Sequence, residues 1–152
     1  MTTRMTINEK RLVRQARSIQ SKVDTIAVVK NDGYNHGLKR VYKTFYEAGI
    51  RAFATTSLNE AVQLREWDSS IFILLLDPNA EFQQLKAYDI TLTVSSYDFY
   101  RKYRNELKGI SIQLVFRNDL NRLGFTRADQ MKEILDDEAD PCQRPLDPLC
   151  FS

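Results

Sequence analysis

Residues Ala27 to Gly37 read AVVKNDGYNHG. An apolar run ends in a lysine, Lys30. A polar turn follows that holds Tyr34, two of the chain's five glycines and its one histidine, His36. The stretch TIAVVK, 25–30, is short, β-branched and without alternation, the pattern of a strand buried on both faces. Such strands belong to parallel sheets, and parallel α/β folds carry their chemistry at the C-terminal ends of strands, where Lys30 stands. Desolvation at a strand end favours a neutral amine, the form that condenses with a carbonyl to make an imine. A lysine there can also simply snorkel to solvent. The neighbours weigh against that plain role: Tyr34 could place its phenol over a phosphate, and Gly33 and Gly37 allow a sharp bend. His36 reads as a hydrogen-bonded turn residue.

Working outward, Thr6-Ile7-Asn8-Glu9 fits a capping box, and Leu12, Val13, Ala16 and Ile19 follow at helical spacing. Downstream of the lysine turn, Val41, Phe45 and Ala48 mark a helix that Gly49 stops. RAFAT, 51–55, predicts a second strand, and Ser57 caps a helix carrying Leu58, Ala61, Val62 and Leu64. IFILLL, 71–76, predicts a third strand, followed by a turn at Asp77-Pro78-Asn79 and a short helix near 81–87. ITLTV, 90–94, is a fourth, with Ser96 capping a helix through Phe99, Tyr103 and Leu107. ISIQLVF, 110–116, is a fifth, and a last helix covers Arg127 to Asp137. Five strand–helix units predict an α/β fold with a parallel sheet. A doubly wound five-stranded sheet is complete at about this length, whereas a (β/α)8 barrel takes about 250 residues, so length alone favours the former. Residues 136–152, DDEADPCQRPLDPLCFS, hold three of the four prolines and both cysteines. They lack an apolar period and read as an irregular or disordered tail behind a domain of residues 1–135.

Composition narrows the function classes. The chain has 152 residues, 43% apolar and 28% charged, the balance of a soluble globular protein. A net charge of +2 gives no reason to expect nucleic acid or an anionic membrane as partner. No apolar run approaches a membrane span, and the N-terminus shows no secretory signal. Cys142 and Cys150 with one distant histidine make no zinc pattern, so no metal is expected. No P-loop is present. Arg101, Lys102 and Arg104 read as a solvated helix face. These features predict a reduced, cytoplasmic protein.

AVVKNDGYNHG resembles the cofactor-lysine motif of the alanine racemase family, A-V-V-K-A-[DN]-A-Y-G-H-G. The matches are Ala27, Val28, Val29, Lys30, Asp32, Tyr34, His36 and Gly37, while Asn31, Gly33 and Asn35 differ. NRLGF, 121–125, just after the fifth strand, resembles the family's G-M-N-R-L-G-F. Weaker echoes lie in AFATTSLNEAVQLRE, 52–66, and YDITLTVSS, 88–96. The likeness covers about residues 7 to 135 and turns the fold expectation to a partial TIM-type barrel of about five βα units.

The resemblance implies a pyridoxal 5'-phosphate enzyme that racemises a small amino acid, usually alanine, as in D-alanine biosynthesis. It implies that Lys30 binds the cofactor as an internal aldimine and acts as one of two acid–base groups. Tyr34 would bind the cofactor phosphate, and Arg122 its phenolic oxygen. The second acid–base group would be a tyrosine of another subunit's C-terminal domain, across a homodimer interface. Two departures lie near Arg122: Val115 replaces a lysine found in many members, and Arg117-Asn118-Asp119-Leu120 replaces D-T-G-M. Five units of eight predict an N-terminal portion, truncated, inactive alone and completed by a complementing fragment. The alternatives are a non-catalytic cofactor-binding protein, a flavodoxin-like binding module, and the product of a disrupted gene.

Overall fold

Asn8 opens the first helix. The computed structural model describes residues 6–118 and 122–138. In it Asn8 is extended and its Oδ1 accepts a hydrogen bond from the Arg11 N–H at 3.0 Å, capping α1 (Glu9–Gln20). The capping box anticipated at Thr6 is thus displaced by two residues: the asparagine carboxamide reaches the third helical N–H, and Thr6 lies outside the helix.

The chain divides into two compact units, residues 1–77 and 78–152. The first holds α1, β1 (Ile26–Val28), α2 (Lys30–Asn35), α3 (Leu38–Glu47), β2 (Ala52–Thr55), α4 (Leu58–Trp67) and β3 (Phe72–Leu75). Its strands pair in parallel, with Ile26 opposite Ala52, Val28 opposite Ala54 and Thr55 opposite Leu75. Val29, Phe53, Ala61, Leu64, Ile73 and Leu75 are sealed from solvent and form the core. Gly49, at φ +99°, ends α3 as expected. Its N–H donates to the Tyr46 carbonyl and that of Ile50 to the Phe45 carbonyl, the paired bonds of a Schellman ending. Ser57 is extended at the cap position of α4, but its side chain makes no capping bond. β1 departs from the expected two-sided burial. Ala27 is buried, whereas Ile26 and Val28 are 36% and 39% exposed. Among the described residues β1 has a ladder partner on one side only, β2.

The second unit holds α5 (Phe82–Ala87), β4 (Thr91–Val94), α6 (Tyr97–Leu107), β5 (Ile112–Leu114) and α7 (Ala128–Glu138). β4 and β5 are parallel, with Leu92 opposite Ile112 and Val94 opposite Leu114. Ser96 caps α6 as expected, its Oγ accepting from the Phe99 N–H at 3.2 Å. α6 meets α7 through the Tyr100 hydroxyl, which donates to Asp137 Oδ2 at 2.7 Å, and through ion pairing of Arg104 with the same carboxylate.

The five strands belong to one sheet in chain order, β1-β2-β3-β4-β5. Doubly wound folds reverse direction at a switch point, and flavodoxin-like modules place β1 inside the sheet. A strictly sequential order lacks that reversal, so the doubly wound expectation based on length is overturned and the barrel-type arrangement stands. Of the anticipated tail, 136–138 belong to α7 and the rest lie outside the described residues. No helix among the described residues is long and apolar enough to cross a membrane.

Candidate active site

β1 stops earlier than its apolar run. Val29 still donates its N–H to the Ala54 carbonyl at 2.8 Å, but from Asn31 onward the backbone winds the opposite way. Asn31 (φ 55°, ψ 58°), Asp32 (51°, 46°), Gly33 (60°, 43°) and Tyr34 (56°, 45°) are all left-handed, and Asn35 follows at φ 62°. This is a left-handed turn built from L-residues. Gly33 N–H bonds back to the Val29 carbonyl at 2.9 Å, and Gly37 N–H to the Asp32 carbonyl at 2.9 Å. Each ordinary residue in this conformation costs about 1–2 kcal/mol, less for Asn and Asp and least for Gly. The run Asn-Asp-Gly-Tyr-Asn is therefore the composition that such a turn demands, with Tyr34 the one residue placed there against its backbone preference.

Side chains of the first unit hold the turn. The Asp32 carboxylate accepts the Leu38 N–H at 2.7 Å. This caps α3, whose own cap residue, Gly37, has no side chain to offer. The Asp32 N–H donates to Glu60 Oε1 at 2.7 Å. The other Glu60 oxygen accepts from the hydroxyl of Thr55, which is fully buried at the end of β2. Gly33 is packed so closely that a β-carbon would lie 2.8 Å from Val41 Cγ2.

Of the residues expected to act, Lys30 and Tyr34 share this turn. Lys30 is half-buried and Tyr34 is 52% exposed. Among the described residues neither the Lys30 amine nor the Tyr34 hydroxyl has a hydrogen bond or ion pair. An unengaged amine and an unengaged phenol four residues apart fit an aldehyde cofactor bearing a phosphate. His36 is held in the turn through its backbone, as expected of a hydrogen-bonded turn residue. Its N–H bonds the Gly33 carbonyl at 3.2 Å, but its ring Nδ1 is buried without a partner among the described residues.

Arg122 belongs to the second unit, where it is exposed and without a partner among the described residues. Asn121, next to it in the motif, lies outside the described residues. The rest of the motif rejoins the fifth strand. Phe125 donates its N–H to the Val115 carbonyl and accepts from the Arg117 N–H, both at 2.8 Å, forming a parallel bridge opposite Phe116. Gly124 makes that approach possible: at φ +147° its β-carbon would fall 2.6 Å from the Arg117 nitrogen. Val115, where the resemblance leads one to expect a lysine, serves this bridge through its backbone.

Sequence reasoning missed Glu60 and Thr55. Glu60 stands in the first turn of α4, where a glutamate needs no explanation beyond the helix dipole. Nothing in its spacing from Asp32 announces the contact. An apolar cleft of about 530 Å³ in the first unit is lined by Leu12, Ala16, Ile19, Ala27, Phe45 and Ile50. It does not include Lys30 or Tyr34.

Parallel strands in sequential order, with a lysine-bearing turn closing the first, define an α/β protein of the TIM-barrel type. The family model for the alanine racemase N-terminal domain matches residues 7–146. Alanine racemase 2 of Staphylococcus aureus (strain Mu50 / ATCC 700699) is 35% identical over 137 residues, covering 90% of this chain and 38% of that protein. The crystal structure of alanine racemase from E. faecalis superposes with a TM-score of 0.78 at 22% identity, covering 86% of this chain and 38% of that one. A histidine racemase from Leuconostoc mesenteroides gives a TM-score of 0.76 at 22% identity, with the same two coverages, 86% and 38%. The chain belongs to the alanine racemase family and corresponds to its N-terminal domain. It spans about two-fifths of the length of these relatives.

Proposed function

We propose that this chain is the cofactor-lysine portion of a pyridoxal-phosphate-dependent amino-acid racemase. Lys30 is its attachment and proton-carrying residue, Tyr34 its phosphate ligand and Arg122 its contact to the cofactor's phenolic oxygen. The observation that carries the reading is the left-handed turn: it spends backbone strain on a short segment that carries both an amine and a phenol unengaged among the described residues. Bound pyridoxal phosphate supplies the electron sink that makes a substrate α-proton removable. With the cofactor bound, Lys30 Nζ would take or return that proton on one face, while Tyr34 would hold its phosphate and Arg122 its phenolic oxygen. Inversion needs a second acid–base group on the opposite face. In the family pattern a tyrosine of another subunit supplies it. The substrate is a small amino acid, with alanine favoured by the family. The histidine racemase among its structural relatives shares this fold, so the first five strands leave side-chain choice open.

The test is borohydride reduction of the purified chain with pyridoxal phosphate, followed by peptide mass mapping beside a Lys30→Ala control. The expected result is one modified peptide, carrying Lys30, that is absent from the control. Scattered modification of surface lysines, or none, would overturn the reading.

A further inference from the structure

We propose that Glu60 is a positioning residue for Lys30, acting through the backbone of the left-handed turn. The inference rests on the reading of Lys30 given above and extends it to a residue that touches neither cofactor nor substrate. Three observations carry it. First, the turn is intrinsically disfavoured, so its shape depends on bonds from outside it. Second, Glu60 supplies such a bond from 28 positions further along the chain, accepting the Asp32 N–H at 2.7 Å. Asp32 is two residues from Lys30 and two from Tyr34, so a single bond acts on both functional side chains. Third, Glu60 is itself fixed. Its second oxygen is held by the buried hydroxyl of Thr55 on β2, the strand whose Ala54 carbonyl also receives the Val29 N–H.

Strand end, helix start and turn thus form one closed loop of bonds. Asp32 continues it, since its carboxylate caps α3. A carboxylate suits the position because it accepts two hydrogen bonds at once, one from an amide and one from a hydroxyl. Without it the Asp32 N–H loses its acceptor, and the left-handed residues are free to relax toward ordinary backbone angles. Lys30 and Tyr34 would then no longer hold a fixed relation.

The role predicts a difference between two substitutions. In Glu60→Gln the amide oxygen can still accept from Asp32 N–H, and the Thr55 hydroxyl can turn to accept from the amide nitrogen. In Glu60→Ala both bonds are lost. The test measures the rate of borohydride trapping at Lys30, resolved by peptide mapping, in the unsubstituted chain and both variants. Circular dichroism checks their fold. The expected result is a loss of at least tenfold in Glu60→Ala and a rate within threefold of the unsubstituted chain in Glu60→Gln. A Glu60→Ala chain that folds and traps at Lys30 within threefold would overturn the inference and leave the reading of Lys30 intact. If the unsubstituted chain itself fails to trap at Lys30, the reading of Lys30 falls and the inference falls with it. A cofactor-free measurement covers the case in which Glu60→Ala does not fold. Hydrogen exchange of the Asp32 amide in the unsubstituted chain is expected to be slowed at least tenfold relative to an unstructured peptide. An unprotected Asp32 amide would overturn the inference without recourse to any variant.

Discussion

Gly33 shows how much a single position can carry. It sits in the middle of the left-handed run, and its missing side chain leaves room for Val41. Gly33→Ala adds a left-handed alanine, about 1–2 kcal/mol, and a steric overlap worth about 1–3 kcal/mol. A urea titration should therefore show a midpoint lowered by roughly 1 M or more, with trapping at Lys30 reduced in parallel. That a turn carrying Lys30 and Tyr34 follows the first strand was legible in the sequence, because a strand end is followed there by Asn, Asp and Gly; the roles proposed for the two residues rest on the family resemblance. The handedness of the turn was not legible, since the same residues also make ordinary bends. Glu60 was not legible for a different reason: its partner is a backbone N–H, and backbone donors carry no residue identity. Tyr34→Phe removes only the phenolic oxygen. It should leave the unfolding midpoint unchanged and weaken the apparent affinity for pyridoxal phosphate in the trapping assay, on the order of tenfold for one lost hydrogen bond to a charged group.

At the level of elements, the order of strands and helices was readable along the described chain apart from α2, which the sequence reads as a polar turn. Periodicity and caps report local preference, and each unit here is locally consistent. The ends were less so: β1 is cut short where the turn begins, and α1 is capped by Asn8 rather than Thr6. Gly124 is the element-scale counterpart of Gly33. Gly124→Ala would force the chain away from Arg117 and break the Phe116–Phe125 bridge. The expected result is a lower melting temperature and faster exchange of the Phe125 amide, with no change at the Asp32 amide in the first unit.

The contacts among α3, β2 and α4 make a further prediction. Tyr42 packs on Tyr46, Phe53 and Trp67 at ring separations of 5.6, 5.2 and 5.5 Å, and its hydroxyl faces Asp68 Oδ2 at 3.4 Å. Burial, and then the negative charge of Asp68, push its phenol up to about 12 from an ordinary 10.0. The folded state therefore keeps a proton that the unfolded chain releases near pH 10. The stabilisation is complete below that pH and lost as pH rises through about 12. Tyr42→Phe should flatten the fall in stability between those two values, as followed by urea unfolding at stepped pH.

For the whole molecule, the exposed side of β1 matters most. Ile26 and Val28 present apolar surface beside a strand edge that has no ladder partner among the described residues, a combination that promotes association. The 152-residue chain is expected to self-associate as its concentration rises, and Ile26→Lys should shift the onset to higher concentration in sedimentation velocity. The sequence alone predicted β1 buried on both sides, because an unalternating apolar run says how a strand is covered in its finished setting and not which face another element supplies. The same limit applied to the overall architecture. Five βα units fit either a wound sheet or part of a barrel by length, and the order of the strands decided between them.

The bond between Glu60 and the Asp32 amide also sets a timetable. During synthesis Lys30 leaves the ribosome well before the residue that fixes its surroundings, 28 positions after Asp32. Until β2 and the first turn of α4 have been made, the nascent lysine sits on an unshaped loop. The arrangement proposed to hold the cofactor would thus be a product of the second strand's arrival, and competence for capture should appear abruptly in a series of chains lengthened through residue 60 and beyond.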